Sequence, residues 1–184
     1  LDSSLPHELL HNWWGNGVFV DYRDGNWSEG LTAYLSDYLI QEARGRGAEY
    51  RRGALQRYEN YAAEHRDAPL REFRSRHDDA SQAIGYGKSL MLFHMLRRDL
   101  GDAAFVAALR DFAGRWMHRQ ASFTDLYAAF AAAAGRDLGA DRAQWLERAG
   151  APVLAIEDVQ VAASDGRHRL SLRLAQVQDE APFR

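Results

Sequence analysis

The apolar residues of this chain change their spacing near Pro152, and this change limits the folds that the chain can adopt. After Pro152, the leucines of residues 170–174 alternate with polar residues, which is the period of a strand. The sequence therefore predicts a mainly α-helical domain over residues 1–150 and the first strands of a separate β-domain over 151–184. Before Pro152, apolar residues recur at helical spacing at about 28–43, and further helices are predicted at about 48–65, 79–99, 102–118, 123–134 and 140–149.

The composition narrows the classes of partner and of metal ligand. The 184 residues contain no cysteine, so any metal must be held by imidazole and carboxylate groups. The formal net charge of -3 gives no basic surface for a nucleic acid, and we expect no nucleic-acid partner. The apolar runs are interrupted well before the ~18 residues that a membrane span requires, so no span is predicted in this chain.

A metal-binding pattern lies close to the first residue. The five residues from His7 to His11 match the pattern H-E-x-x-H, and they fall on a helix predicted over residues 4–14. Residues at positions i and i+4 share one helix face, so His7 and His11 can bind one zinc ion. Glu8 can then accept a proton from the attacking water and pass it to the leaving amine. The simpler interpretation is a helix with two surface histidines and a solvated carboxylate.

A third ligand is needed, because catalytic zinc usually takes three protein ligands and leaves one position for water. Glu29 begins the second predicted helix, and a glycine-rich loop with a short strand at residues 18–20 separates it from His11. A carboxylate there would complete a site with two histidines and one glutamate. Taken alone, Glu29 would more commonly be explained as an acidic first-turn residue that interacts favourably with the helix dipole. The remaining histidines are predicted to be surface or packing residues: His65, His77, His94, His118 and His168.

Several segments together resemble one family. Residues 7–16 read H-E-L-L-H-N-W-W-G-N and residues 28–30 read S-E-G, which is similar to the zinc signature of the membrane alanyl aminopeptidase family of gluzincin zinc metallopeptidases. Residues 86–89 read Y-G-K-S and resemble the Tyr-x-Lys-Gly element of that family. Residues 145–154, W-L-E-R-A-G-A-P-V-L, resemble the end of its helical domain, which a β-sandwich follows.

The resemblance implies a fold, a cofactor and one more site residue. It implies a helical, thermolysin-like catalytic subdomain that binds Zn and removes N-terminal residues from peptide substrates. It also implies that Tyr86 is the catalytic tyrosine, whose phenol donates a hydrogen bond to the oxyanion of the tetrahedral intermediate. The chain departs from the family where Ser28 replaces Asn, where Ser89 replaces Gly, and where seventeen rather than eighteen residues separate His11 from Glu29.

The same resemblance implies that the chain is a fragment of the catalytic region. The family's Gly-x-Met-Glu-Asn element, which binds the free amino group of the substrate, does not occur in these residues. We therefore expect a preceding half of the protein to pack on the active-site face, and we expect the isolated chain to be inactive. Two alternatives remain open, a gluzincin endopeptidase and a non-catalytic scaffold member of the family.

Overall fold

Helices dominate the first part of the chain in the computed structural model, which describes residues 4–61, 67–164 and 166–184. The mainly α prediction is confirmed, although three π-helical segments interrupt or extend the helices of this described part: Tyr34–Tyr38, Ala83–Lys88 and Ala143–Glu147. The α-helices are α1 (Ser4–Leu10), α2 (Trp27–Ala33), α3 (Leu39–Ala43), α4 (Gly47–Tyr61), α5 (Asp79–Gln82), α6 (Ser89–Leu100), α7 (Asp102–Trp116), α8 (Phe123–Ala134) and α9 (Gly139–Arg142).

The first helix is shorter than the predicted span of residues 4–14, because α1 ends at Leu10. The amides of Asn12 and Trp13 bond to carbonyls three residues back, those of Leu9 and Leu10, at 3.2 and 2.9 Å. The Asn12 side chain also donates to the Leu9 carbonyl at 2.9 Å. These bonds tighten the chain into a turn. The prediction was wrong here because apolar spacing does not report how asparagine bonds to the backbone.

Most other helix boundaries agree with the sequence to within a few residues. The predicted helix at 28–43 is continuous as α2, a π-helical turn and α3. The predicted helix at 48–65 corresponds to α4, although its last residues, 62–65, lie outside the described part. The helix predicted to reach residue 149 ends at Glu147, after which the backbone of Arg148 becomes extended.

A small parallel sheet fixes the loop between α1 and α2. Its strands are β1 (Trp14–Gly15), β2 (Val18–Val20) and β3 (Gln120–Ala121), in that spatial order. Strand β2 confirms the short strand expected in the loop. The Trp27 indole donates to the Ala121 carbonyl at 2.7 Å, which attaches the start of α2 to the same sheet.

The core lies around α2 and its continuation. Leu31, Tyr34 and Tyr38 have no exposed surface, and they belong to one buried cluster with residues of α6, α7 and α8. The Tyr34 and Tyr38 rings stack with centroids 5.1 Å apart. The burial of these aromatic side chains stabilises the position of α2 and of the π-helical segment that continues it. The other fully buried aromatic side chains are Trp27, Phe93, Phe105, Phe112, Phe123 and Phe130.

The chain divides into two units, Leu1–Ala149 and Gly150–Arg184. The second unit contains an antiparallel pair of strands, β4 (Leu154–Ser164) and β5 (Arg167–Gln176), which confirms the predicted change to a strand period. That these strands begin a β-sandwich-like domain stays a prediction. Within the described residues, no helix is long and apolar enough to cross a membrane.

Candidate metal centre

Three side chains from α1, the turn after it and α2 meet at one point. The Nε2 atoms of His7 and His11 lie 3.2 Å apart, and each lies 3.5 Å from Oε2 of Glu29. These three residues form a group whose ligand atoms are close enough together to hold one metal ion. No other group of three or more histidines and carboxylates in the ranges that the structure describes meets this condition. All three are buried or half-buried.

The local structure explains why these side chains converge. His11 lies just beyond the end of α1, yet its amide still bonds to the His7 carbonyl at 3.3 Å, so the i, i+4 relationship is kept. Glu29 lies in the first turn of α2. Asn26 caps this helix by accepting hydrogen bonds from the Ser28 amide at 3.1 Å and from the Ser28 hydroxyl at 2.8 Å. The cap fixes the direction in which the first turn projects Glu29.

The triangle of donor atoms fits a zinc ion. Zinc in proteins is tetrahedral, and bonds of about 2.0 to 2.2 Å place neighbouring ligand atoms about 3.3 to 3.6 Å apart. The separations between His7, His11 and Glu29 are 3.2, 3.5 and 3.5 Å, which is close to three edges of such a tetrahedron. Two imidazoles and one carboxylate are also the donor types that zinc accepts.

The second nitrogen of each imidazole has a partner of its own. Nδ1 of His7 lies 3.2 Å from Oδ2 of Asp37, and Nδ1 of His11 lies 2.8 Å from the Trp14 carbonyl oxygen. A protonated Nδ1 donating to these oxygens leaves Nε2 with its lone pair directed at the metal position. Sequence reasoning missed Asp37. The available signal was a carboxylate eight residues after Glu29, about two turns further along the same helix.

These contacts shift the protonation of the metal-free site. The hydrogen bond with Asp37, followed by the one with Glu29, raises the pKa of His7 to about 9 in spite of its burial. Burial raises the pKa of Glu29, but hydrogen bonds with His11, His7 and Tyr86 outweigh it and hold that pKa well below its usual range. Protons and a metal ion therefore compete for the same atoms, and metal binding releases protons.

Glu8 and Tyr86 face the same cavity as the three donor residues. The cavity has a volume of about 690 Å³. The Tyr86 ring stacks on His7 with centroids 6.2 Å apart, and Tyr86 lines the cavity together with Glu29. Burial, followed by the nearby Glu29 carboxylate, raises the pKa of Tyr86 above its usual range. The phenol is therefore neutral at physiological pH and can act as a hydrogen-bond donor.

A buried lysine anchors the π-helical segment that carries Tyr86. Lys88 lies at the end of that segment, and its Nζ is 3.4 Å from Oδ2 of Asp67 and 3.4 Å from the Arg148 carbonyl oxygen. Burial lowers the pKa of Lys88, and the Asp67 carboxylate opposes that change. Earlier in the same segment, Gly85 packs against the Phe73 ring at a distance that leaves no room for a side chain.

The structure thus brings all five predicted site residues to one cavity, and the other histidines of the described ranges do not line it. His94 packs half-buried beside Tyr34 and Tyr38, whereas His65 lies outside the described residues. The aromatic residues near the motif are divided between core and surface: Trp14 and Trp27 are buried, and Tyr22 is exposed and lines the cavity.

Comparison with known proteins identifies the family of this chain. The family model of the peptidase family M1 domain matches residues 3–145, and the chain belongs to this family. Alanine/arginine aminopeptidase from Saccharomyces cerevisiae is 28% identical over 172 residues, which are 90% of this chain and 20% of the relative's length. Aminopeptidase N from Lactococcus lactis subsp. lactis is 31% identical over 165 residues, which are 84% of this chain and 19% of the relative's length.

Solved structures show a similar fold. A variant of an M1 zinc metallopeptidase from Deinococcus radiodurans, bound to a Tyr-Ser-Ala substrate, matches 83% of this chain and 34% of that chain, with a TM-score of 0.67 and 26% identity. A second structure, a two-domain M1 zinc metallopeptidase variant bound to L-tryptophan, also covers 83% of this chain and 34% of its own chain. Its TM-score is 0.65 and its sequence identity is 28%. The chain spans about a fifth of the length of the curated relatives quoted above.

Proposed function

We propose that this chain carries the zinc centre of an aminopeptidase, with His7, His11 and Glu29 as the metal ligands. The observation that carries this proposal is the triangle of donor atoms, whose edges of 3.2, 3.5 and 3.5 Å suit tetrahedral zinc. The partners of the two Nδ1 atoms support it, because they favour the tautomer that binds metal through Nε2. When bound, zinc supplies Lewis acidity that polarises a peptide carbonyl and acidifies water at the site.

The remaining steps belong to Glu8 and Tyr86. Glu8 lines the cavity next to the first ligand and accepts a proton from the attacking water, then passes it to the leaving amine. Tyr86 donates its phenolic hydrogen to the oxyanion that develops on the carbonyl oxygen. Its raised pKa supports this step, because a neutral phenol keeps the hydrogen that must be donated.

The aminopeptidase class is inferred from the relatives. Their names describe aminopeptidases, so we propose that the substrate of this protein is a peptide with a free amino terminus. The rival class is a gluzincin endopeptidase, which would use the same five residues without requiring a free amine. The expectation that a preceding part of the protein packs on the active-site face stays a prediction.

The test measures metal and activity in the full-length protein. We expect about one zinc per chain, loss of that zinc in His11→Ala and Glu29→Ala, and retention in the control His168→Ala, whose side chain is exposed on β5. Undiminished zinc in both site variants would refute the ligand assignment. Peptides with free and N-acetylated amino termini separate the two enzyme classes, since equal hydrolysis of both would identify an endopeptidase.

A further inference from the structure

The cavity of the metal centre has an uneven distribution of charge. Three carboxylates line it, those of Glu8, Glu29 and Asp37, and two of them already contact the histidine pair. Among the described residues that line the cavity, Arg76 is the one lysine or arginine. Apart from the metal position, Arg76 is therefore the part of this wall whose side chain carries a permanent positive charge for an anionic group of a ligand.

The backbone before Arg76 is held in place. The Asn26 amide donates to the Phe73 carbonyl at 2.8 Å, and the Asn26 side chain donates to the Arg74 carbonyl at 3.0 Å. The Phe73 ring is buried, and its centroid lies 6.1 Å from that of Tyr86. Because Asn26 also caps the helix that carries Glu29, one residue connects the Arg76 segment to the metal centre.

The backbone after Arg76 is held as well. The amides of His77 and Asp78 donate to the Ser81 hydroxyl at 2.8 and 2.9 Å, and the Asp78 side chain accepts from the Ser81 amide at 2.8 Å. This capping box fixes the start of α5. Hydrogen bonds therefore hold the backbone on both sides of Arg76. They keep Arg76 at the wall of the cavity.

The guanidinium of Arg76 is available for a ligand. Within the part of the chain that the structure describes, it makes no ion pair or hydrogen bond, whereas Arg97 and Arg142 pair with glutamates of the chain at 2.7 Å. Arg76 and the proposed catalytic residue Tyr86 line the same cavity. A guanidinium forms two parallel hydrogen bonds with a carboxylate, a geometry that an ammonium does not provide.

We propose that Arg76 is a specificity-determining residue that binds a carboxylate of the peptide substrate. The carboxylate is either the C-terminus of a short peptide or an acidic side chain, and both sources present the same group to the guanidinium. This inference rests on the proposed function, because the substrate reaches Arg76 through the cavity of the metal centre.

The experiment compares matched substrates in the full-length protein. Tripeptides with a free and an amidated C-terminus form one pair, and amidated tripeptides with Asp and Asn at the second position form the other. The readout is the ratio of kcat/KM within each pair. Arg76→Ala should lower the preference for the carboxylate about tenfold in one pair, and Arg76→Lys should restore only part of it. The control Arg71→Ala alters an exposed arginine that does not line the cavity, and it should leave both ratios unchanged.

Several results would overturn the inference. A wild-type protein that hydrolyses all four peptides without preferring a carboxylate would refute it and leave the proposed function intact. An equal loss of kcat in Arg76→Ala on every peptide would show that Arg76 acts on Tyr86 or on the reacting atoms instead.

A wild-type protein that hydrolyses none of the peptides would contradict the proposed function. In that case, calorimetry measures the affinity of the same peptides for the Glu8→Gln protein. Tighter binding of the carboxylate peptide in one pair would support the role of Arg76, and equal affinity within both pairs would refute it.

Discussion

Nδ1 of His7 lies 3.2 Å from Oδ2 of Asp37, while Nε2 of the same ring lies 3.5 Å from Oε2 of Glu29. One imidazole thus connects a carboxylate behind the site to a carboxylate within it. The Ser36 hydroxyl also lies 3.2 Å from Oδ1 of Asp37, so the rear carboxylate is itself held in position. Such a carboxylate orients the ring and increases its basicity as a ligand.

Asp37→Asn tests this relationship without changing the shape of the side chain. Loss of the negative charge should weaken zinc binding about 10- to 100-fold, because the imidazole becomes a poorer ligand. Competition with a chromophoric chelator measures the dissociation constant. Asp79→Asn provides a matched control, since Asp79 is exposed in α5. Equal zinc affinity in the wild type and Asp37→Asn would show that Asp37 does not support the metal centre.

Glu8→Gln separates proton transfer from metal binding. Glu8 is not one of the three donor residues, so zinc content should stay near one per chain while kcat falls by about 10² to 10⁴. Metal analysis and steady-state kinetics on one preparation measure both quantities. The control Glu59→Gln changes an exposed residue of α4 and should keep full activity. Normal turnover in Glu8→Gln would mean that another group is the base.

Tyr86→Phe removes one hydroxyl group and keeps the ring that stacks on His7. We expect kcat to fall about 10²-fold, because one preorganised donor to the oxyanion is lost. Zinc content and Tm should stay close to wild type. Tyr61→Phe, at an exposed position in α4, is the control. If kcat were unchanged, Tyr86 would be a packing residue only.

Gly30→Ala tests the contact between the helix that carries Glu29 and the helix that follows Tyr86. A Cβ at Gly30 would overlap the buried Ser89 side chain and lie 3.1 Å from the Gly85 carbonyl oxygen. Overpacking of this kind should lower the free energy of unfolding by about 1 to 3 kcal/mol. Adding Ser89→Gly removes the overlapping side-chain atoms, so the double variant should recover much of the lost free energy of unfolding. Chemical denaturation measures this free energy in all three proteins. A double variant no more stable than Gly30→Ala would locate the strain elsewhere.

Glu42 should make part of the stability depend on pH. Burial raises its pKa, but hydrogen bonds with Tyr38 and Arg97 outweigh this and hold the pKa below its usual value. Because the folded-state pKa is the lower one, the stabilisation is present above the unfolded pKa of about 4.3 and is lost as the pH falls through the folded value. The stability difference between wild type and Glu42→Gln should therefore be largest near neutral pH and shrink in acid. A difference that is constant from pH 7 to pH 3 would contradict this.

The sequence alone determined the features that depend on local spacing. The i, i+4 spacing fixes that the side chains of His7 and His11 face the same way, and the loop after His11 together with the following apolar period predicts that Glu29 begins the second helix. The change from helical to strand period after Pro152 likewise follows from the order of apolar residues. Tyr86 was identified only by resemblance, because no local spacing connects it to His7.

Only the tertiary structure decided the features that join distant residues. Asp37 reaches His7 because α1 packs across the π-helical turn after α2, and apolar periodicity does not report where a helix changes its hydrogen-bonding register. Arg76 reaches the cavity because Asn26 and Ser81 hold the backbone on either side of it. Such contacts depend on how helices far apart in the chain pack against each other. Composition and spacing determine which residues can carry the chemistry, while packing determines which of them meet.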